Sequence, residues 1–111
     1  MQIIVLNKDT LLYDEFKFKC SIGRNGKTTK KVEGDKKTPK GLYELGPLYY
    51  RKDRILEPST KLKKIEIKKN FGWCDDVKSK LYNKPIKINN RVRHEKLYRN
   101  DKKYDLLIPI E

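Results

Sequence analysis

The clearest stretches of this chain switch between apolar and polar at every second residue. Over residues 16–22, Phe16, Phe18, Cys20 and Ile22 share one side, and Lys17, Lys19 and Ser21 share the other. Successive side chains of a strand point to opposite faces, so this stretch predicts a half-buried β-strand. The apolar run at residues 2–6 predicts a buried strand. Asn7-Lys8-Asp9-Thr10 has turn composition, and residues 11–13 then return as the second arm of a hairpin. Gly23-Arg24-Asn25-Gly26 breaks the alternation, because glycine supplies the backbone angles of a tight turn. Residues 27–40 are polar and mostly cationic, and they read as an exposed loop. Strand character resumes at residues 41–48, with Tyr49 and Tyr50 as an extension. Residues 51–62 form another polar connection. Ile65 and Ile67 share a face in residues 63–68. Phe71 and Trp73 flank Gly72, which reads as a turn. Asn83-Lys84-Pro85 and Asn89-Asn90 are further punctuation, and residues 93–99 predict a turn or two of helix. Residues 104–110 are a final apolar run, whose Pro109 suggests a sheet edge. The pattern as a whole predicts a mainly β fold, with long loops and little helix, in one domain over residues 1–111.

Composition narrows the class. The chain has 111 residues, 36% hydrophobic and 39% charged, enough for one modest core. The longest apolar runs, residues 3–6 and 106–108, are far too short to span a bilayer. The first ten residues show neither the basic lead nor the apolar stretch of a secretory leader, so nothing in them is expected to direct export. The net charge of +13 raises the possibility of a polyanionic partner. Lysine, however, makes up 22 of the 28 cations, and alanine is absent. That skew fits A/T-rich coding as well as selection for phosphate contacts, and base readers favour arginine. The charge is also spread evenly along the chain, so nucleic acid is not the favoured partner.

The chemistry-bearing residues are few. There are two cysteines, Cys20 and Cys74, and one histidine, His94. No set of ligands has metal-site spacing, and no glycine-rich phosphate loop occurs, so no metal and no cofactor is expected. Cys20, on the apolar face of its predicted strand, reads as a small hydrophobe. Cys74 is followed by Asp75 and Asp76, whose negative charge disfavours a thiolate. A Cys20–Cys74 disulfide stays open, as does a Cys74–His94 pair, which would require adjacency in space. The tyrosines and Trp73 read first as residues of half-buried sheet positions, and second as stacking surfaces for bases or sugar rings.

One region carries a more specific signal. Ile22-Gly23-Arg24-Asn25-Gly26 is followed by Gly34-Asp35-Lys36-Lys37-Thr38-Pro39-Lys40-Gly41-Leu42-Tyr43. This resembles the G-D-x-x-T-P-x-G-x-[YF] signature of the L,D-transpeptidase catalytic domains, the YkuD-like proteins. Gly34, Asp35, Thr38, Pro39, Gly41 and Tyr43 meet every letter. Gly72-Trp73-Cys74-Asp75-Asp76, Tyr82-Asn83, Glu95-Lys96-Leu97 and Tyr104-Asp105 resemble, in order, later segments of a single-domain branch.

The resemblance implies mixed β-sheets and a peptidoglycan substrate. Family members use a cysteine thiolate to attack a peptide stem and release D-alanine. An amine of another stem, or water, then resolves the thioester, with a histidine as base and backbone amides holding the oxyanion. It also implies the periplasm or cell envelope as location and peptidoglycan stem peptides as partners. The family's histidine and Ser/Thr-x-Gly-Cys segment come after the region matching residues 104–110. Neither Cys20 nor Cys74 lies in such a segment, so no catalytic or substrate-binding residue is assigned. The expectation is the amino-terminal part of such a domain, inactive as 111 residues. Its matched residues (Gly34, Asp35, Thr38, Pro39, Gly41, Tyr43 and Trp73) would serve turns and packing. The competing expectations are a non-catalytic basic β-domain that binds cell-wall polymer and, behind it, a small nucleic-acid binder.

Overall fold

The computed structural model describes residues 2–89 and 91–111. Asn90 of the Asn89-Asn90 punctuation lies outside the described residues. No helix forms among those described, and the chain is mainly β. It divides into two compact units, Met1–Leu42 and Tyr43–Glu111.

The first unit opens with a three-stranded antiparallel meander. β1 (Ile3–Val5) pairs with β2 (Thr10–Tyr13), and β2 pairs with β3 (Phe16–Lys19). Asp14 makes the second turn with a φ of 52°. The register sets Ile3, Tyr13 and Phe16 in one row and Val5, Leu11 and Phe18 in the next. These six side chains share a face, because alternate residues of a strand do. The expected burial of residues 2–6 does not occur, and of the apolar face of residues 16–22 only Cys20 and Ile22 are half-buried. Ile3, Val5, Phe16 and Phe18 are all exposed, and the third strand ends at Lys19, leaving Cys20 half-buried beyond it. Within the unit no other strand packs across the meander. Alternation decides which residues share a face, not whether anything covers it.

A parallel ribbon of β4 (Lys27–Thr28) and β5 (Thr38–Pro39) completes the unit. The Thr38 and Lys40 amides donate across it, to the Gly26 carbonyl at 2.8 Å and the Thr28 carbonyl at 2.7 Å. Pro39 therefore occupies a position that owes the ladder no N–H.

The second unit holds every buried hydrophobic residue among those described. β6 (Leu48–Tyr50) is central to one sheet, with β7 (Lys64–Glu66) parallel on one side and β11 (Leu106–Leu107) antiparallel on the other. β8 (Phe71–Cys74) is central to a second sheet, between β9 (Pro85–Lys87) and β10 (His94–Lys96). Tyr49, Ile67 and Leu97 form the core, with Ile65, Phe71, Trp73, Tyr98, Tyr104 and Leu107 packed around them.

Three expectations change here. Strand structure begins at Leu48, not at residue 41. Gly72 is no turn: it is buried mid-strand, where an added Cβ would lie 3.1 Å from Ile88 Cγ1 and 3.3 Å from the Glu95 carbonyl. Glycine is used here for close approach between strands. Residues 93–99 form no helix: His94–Lys96 are a strand. They carry no apolar stripe of helical period, and β8 offers their backbone a ladder, continued by the Leu97 amide donating to the Phe71 carbonyl at 3.2 Å.

Candidate functional site

The motif residues of the first unit assemble one loop. The Asp35 carboxylate accepts from the backbone amides of Val32 and Lys37, each at 2.9 Å, and pairs with the Lys31 ammonium. The Lys31 hydrogen bond, then the Val32 amide, pull its pKa from 3.8 to about 2. Gly34 holds a φ of 81° and Gly41 one of 141°, backbone regions that glycine alone enters freely. The Thr38 hydroxyl accepts from the Gly23 amide at 2.7 Å, and the Asn25 side chain donates to the Asp35 carbonyl at 2.9 Å. The loop's polar groups are thus spent largely on one another. Gly23 is there for space: an added Cβ would sit 2.5 Å from the Lys36 carbonyl oxygen. Tyr43 begins the second unit and is exposed.

The cysteines are both free thiols. The structure does bring Cys74 and His94 together, as directly opposed residues of β8 and β10. Their side chains therefore share a face. No hydrogen bond links them. The imidazole Nδ1 instead lies 2.8 Å from the Val92 carbonyl oxygen, and Cys74 is fully buried. A nucleophile must reach a carbonyl carbon, and a sulfur sealed inside a sheet cannot.

Polar chemistry unnoticed in the sequence gathers at Arg51, a cation only 3% exposed. Its guanidinium donates to both Asp53 carboxylate oxygens at 2.8 Å and to the Arg99 carbonyl at 2.8 Å. It stacks 3.6 Å above the centroid of the Tyr98 ring, whose hydroxyl also reaches Asp53. Arg54 extends the knot to Asp105 and the carbonyls of Asn100 and Asp101. Both guanidiniums are engaged by partners of this unit, so the cluster braces the segments around residues 51–55 and 98–105. Arg51 directly follows two tyrosines, but its partners lie far along the chain, which hides the knot from a local reading.

The second unit also contains an open cleft of about 360 Å³. Tyr49 and Trp73 meet edge to face on its floor, with ring centroids 6.0 Å apart. Asn83, at a φ of 59°, accepts from the Trp73 indole N–H at 2.9 Å. Asparagine tolerates that left-handed geometry better than most residues, and the Asn83 amide closes the turn onto the Cys74 carbonyl at 2.8 Å. Tyr82, Lys84 and Glu111 stand around the mouth. Glu111 is placed by pairing of residues 44–46 with 109–111, and its carboxylate lies against Gly46. Burial, and next the Glu111 charge, raise the Tyr49 pKa above its usual value of 10. Among the described residues no group of His, Cys, Asp and Glu could hold a metal, and no helix is long and apolar enough to cross a membrane.

Comparison with known proteins gives one match. No curated protein and no solved structure matches the chain. The model of the L,D-transpeptidase catalytic domain (YkuD) matches residues 2–106, a span that takes in the Asp35–Thr38 loop, both sheets of the second unit but for the last residue of β11, and the cleft but for Pro109, Ile110 and Glu111. By that match across nearly its whole length, the chain belongs to the L,D-transpeptidase catalytic domain family.

Proposed function

We propose that the protein works on peptidoglycan, and that these 111 residues supply scaffold and substrate contact but not the acyl-transfer nucleophile. The observation that carries this reading is the family match over residues 2–106, set beside the state of the two thiols. Cys74 is sealed within β8, and its cross-strand neighbour His94 makes no hydrogen bond to it. Cys20 lies just past β3 in a unit whose histidine count is zero. Neither thiol is hydrogen-bonded to a base that would activate it for attack. The motif residues Gly34, Asp35, Thr38, Pro39 and Gly41 serve the loop described above. Peptidoglycan is anionic, so a chain of +13 would gather on it.

The test pairs two assays on the same chain. Sedimentation with purified sacculi should pull the protein down at low salt and less of it at high salt. Incubation with a tetrapeptide stem should release no D-alanine. Release of D-alanine that is lost in Cys74→Ser or Cys20→Ser would overturn the non-catalytic assignment. Failure to sediment at any salt concentration would overturn the substrate.

A further inference from the structure

We propose that the cleft of the second unit binds a hexopyranose ring of a glycan chain, and so contacts the sugar backbone of peptidoglycan rather than its peptide stems. A pyranose presents a flat apolar face of C–H groups and a rim of hydroxyls. Its natural complement is an aromatic wall with a few fixed neutral hydrogen-bonding groups. The cleft has both. Trp73 and Tyr82 line it as ring surfaces, each only half-buried. The indole is held in place by the Asn83 carbonyl oxygen and by the edge of Tyr49. At about 360 Å³ the space is near the lower end of small-molecule sites, the size of one or two sugar rings.

The most specific feature is the hydroxyl of Tyr49. The residue is 4% exposed and lines the cleft; no hydrogen bond engages its hydroxyl, and no buried side-chain oxygen among the described residues lacks a partner, so this hydroxyl is one that solvent reaches. A hydroxyl that solvent reaches at the wall of a cleft can exchange its water for a ligand's hydroxyl at little cost. The Asn83 side-chain amide keeps its N–H donors, and the Glu111 carboxylate offers an acceptor at the mouth.

A peptide strand fits less well. Adding a strand needs a run of free backbone amides, and the rim carries Pro85 and Pro109, which have none. That the sugars belong to peptidoglycan rests on the proposed function. The cleft chemistry itself calls only for a pyranose.

Trp73 is the sole tryptophan, so fluorescence excited on the red side of tyrosine absorption reports on this cleft alone. Titration of the full 111-residue chain with a β-1,4-linked N-acetylglucosamine tetramer should give a saturable change in intensity and emission maximum. Tyr49→Phe removes only an oxygen that bonds to nothing in the protein. It should leave the thermal midpoint unchanged and weaken the tetramer about three- to tenfold, the worth of one hydrogen bond. Tyr82→Ala should weaken it about tenfold through loss of one stacked ring. The absence of any saturable response at millimolar tetramer, or equal affinity in Tyr49→Phe, would overturn the assignment of the cleft. If sacculi still sediment in that case, the peptidoglycan reading stands without it; if they do not, both fall.

Discussion

Asp35 shows how one carboxylate organises a loop otherwise rich in lysine. Its two backbone bonds and the Lys31 pair are all at full strength only while it is ionised. Asp53 and Asp101 have the same character, and their pKa values are also drawn down to about 2, first by hydrogen bonds from Arg51 and Arg99 respectively. For a carboxylate whose pKa is lower folded than unfolded, the unfolded state binds more protons in acid. The stabilisation is therefore complete above about pH 4 and is lost as pH falls toward 2. The thermal midpoint, followed by circular dichroism, should be flat from pH 7 to about pH 5 and fall steeply between pH 4 and 2. A midpoint that holds to pH 2 would show that these pairs do not support the fold. Thr38→Val keeps the shape of the side chain but leaves the Gly23 amide without its acceptor. Denaturant titration should read a loss of about 1–2 kcal/mol.

Among the elements, β6 and β8 carry the second unit. Each is the middle strand of its sheet, and Tyr49 on β6 touches Trp73 on β8. Ile67, 2% exposed just after β7, lies in the same core. Ile67→Ala should cost about 2–5 kcal/mol by denaturant titration, because the core is too small to collapse around the gap. Within its own unit the meander of β1, β2 and β3 packs against no further strand, and it exposes Ile3, Val5, Phe16 and Phe18. Amide exchange should then be graded. The amides of β6 and β8 should exchange near the global rate, and those of β1 and β3 orders of magnitude faster. Equal protection in both would contradict this view of where stability resides.

At the scale of the whole molecule, charge and exposed apolar surface compete. Seven ion pairs among the described residues engage only part of the 28 cations. The surplus sets copies of the chain to repel one another. The apolar meander face works the other way, since an uncovered apolar face attracts whatever can cover it. A dye that fluoresces on apolar surface should bind the native protein at pH 7, and Phe16→Ser with Phe18→Ser should abolish most of that signal. The double variant should keep its thermal midpoint, because neither ring is buried. Unchanged dye binding would place the apolar surface elsewhere.

Much of the architecture could be read directly from local patterns. The two-residue alternation around Phe16 and Phe18, the turn at Asn7–Thr10, and Ile65 with Ile67 on one face all follow from backbone geometry that neighbouring residues impose on one another. The G-D-x-x-T-P run also announced its family, because a loop that satisfies its own polar groups needs its residues at fixed spacing. Burial was decided only by tertiary structure. Phe16 and Tyr49 look alike on paper, yet one is exposed and the other 4% exposed, because cover comes from elements distant in sequence. Tertiary pairing likewise turned Gly72 from a turn into a strand residue and drew residues 94–96 into a sheet. It set His94 opposite Cys74 without joining them, closed Arg51 onto Asp53 and Arg99, and made Tyr49 part of the wall of an open cleft. Local sequence determines which side chains share a face; only the packing of remote segments determines what that face meets.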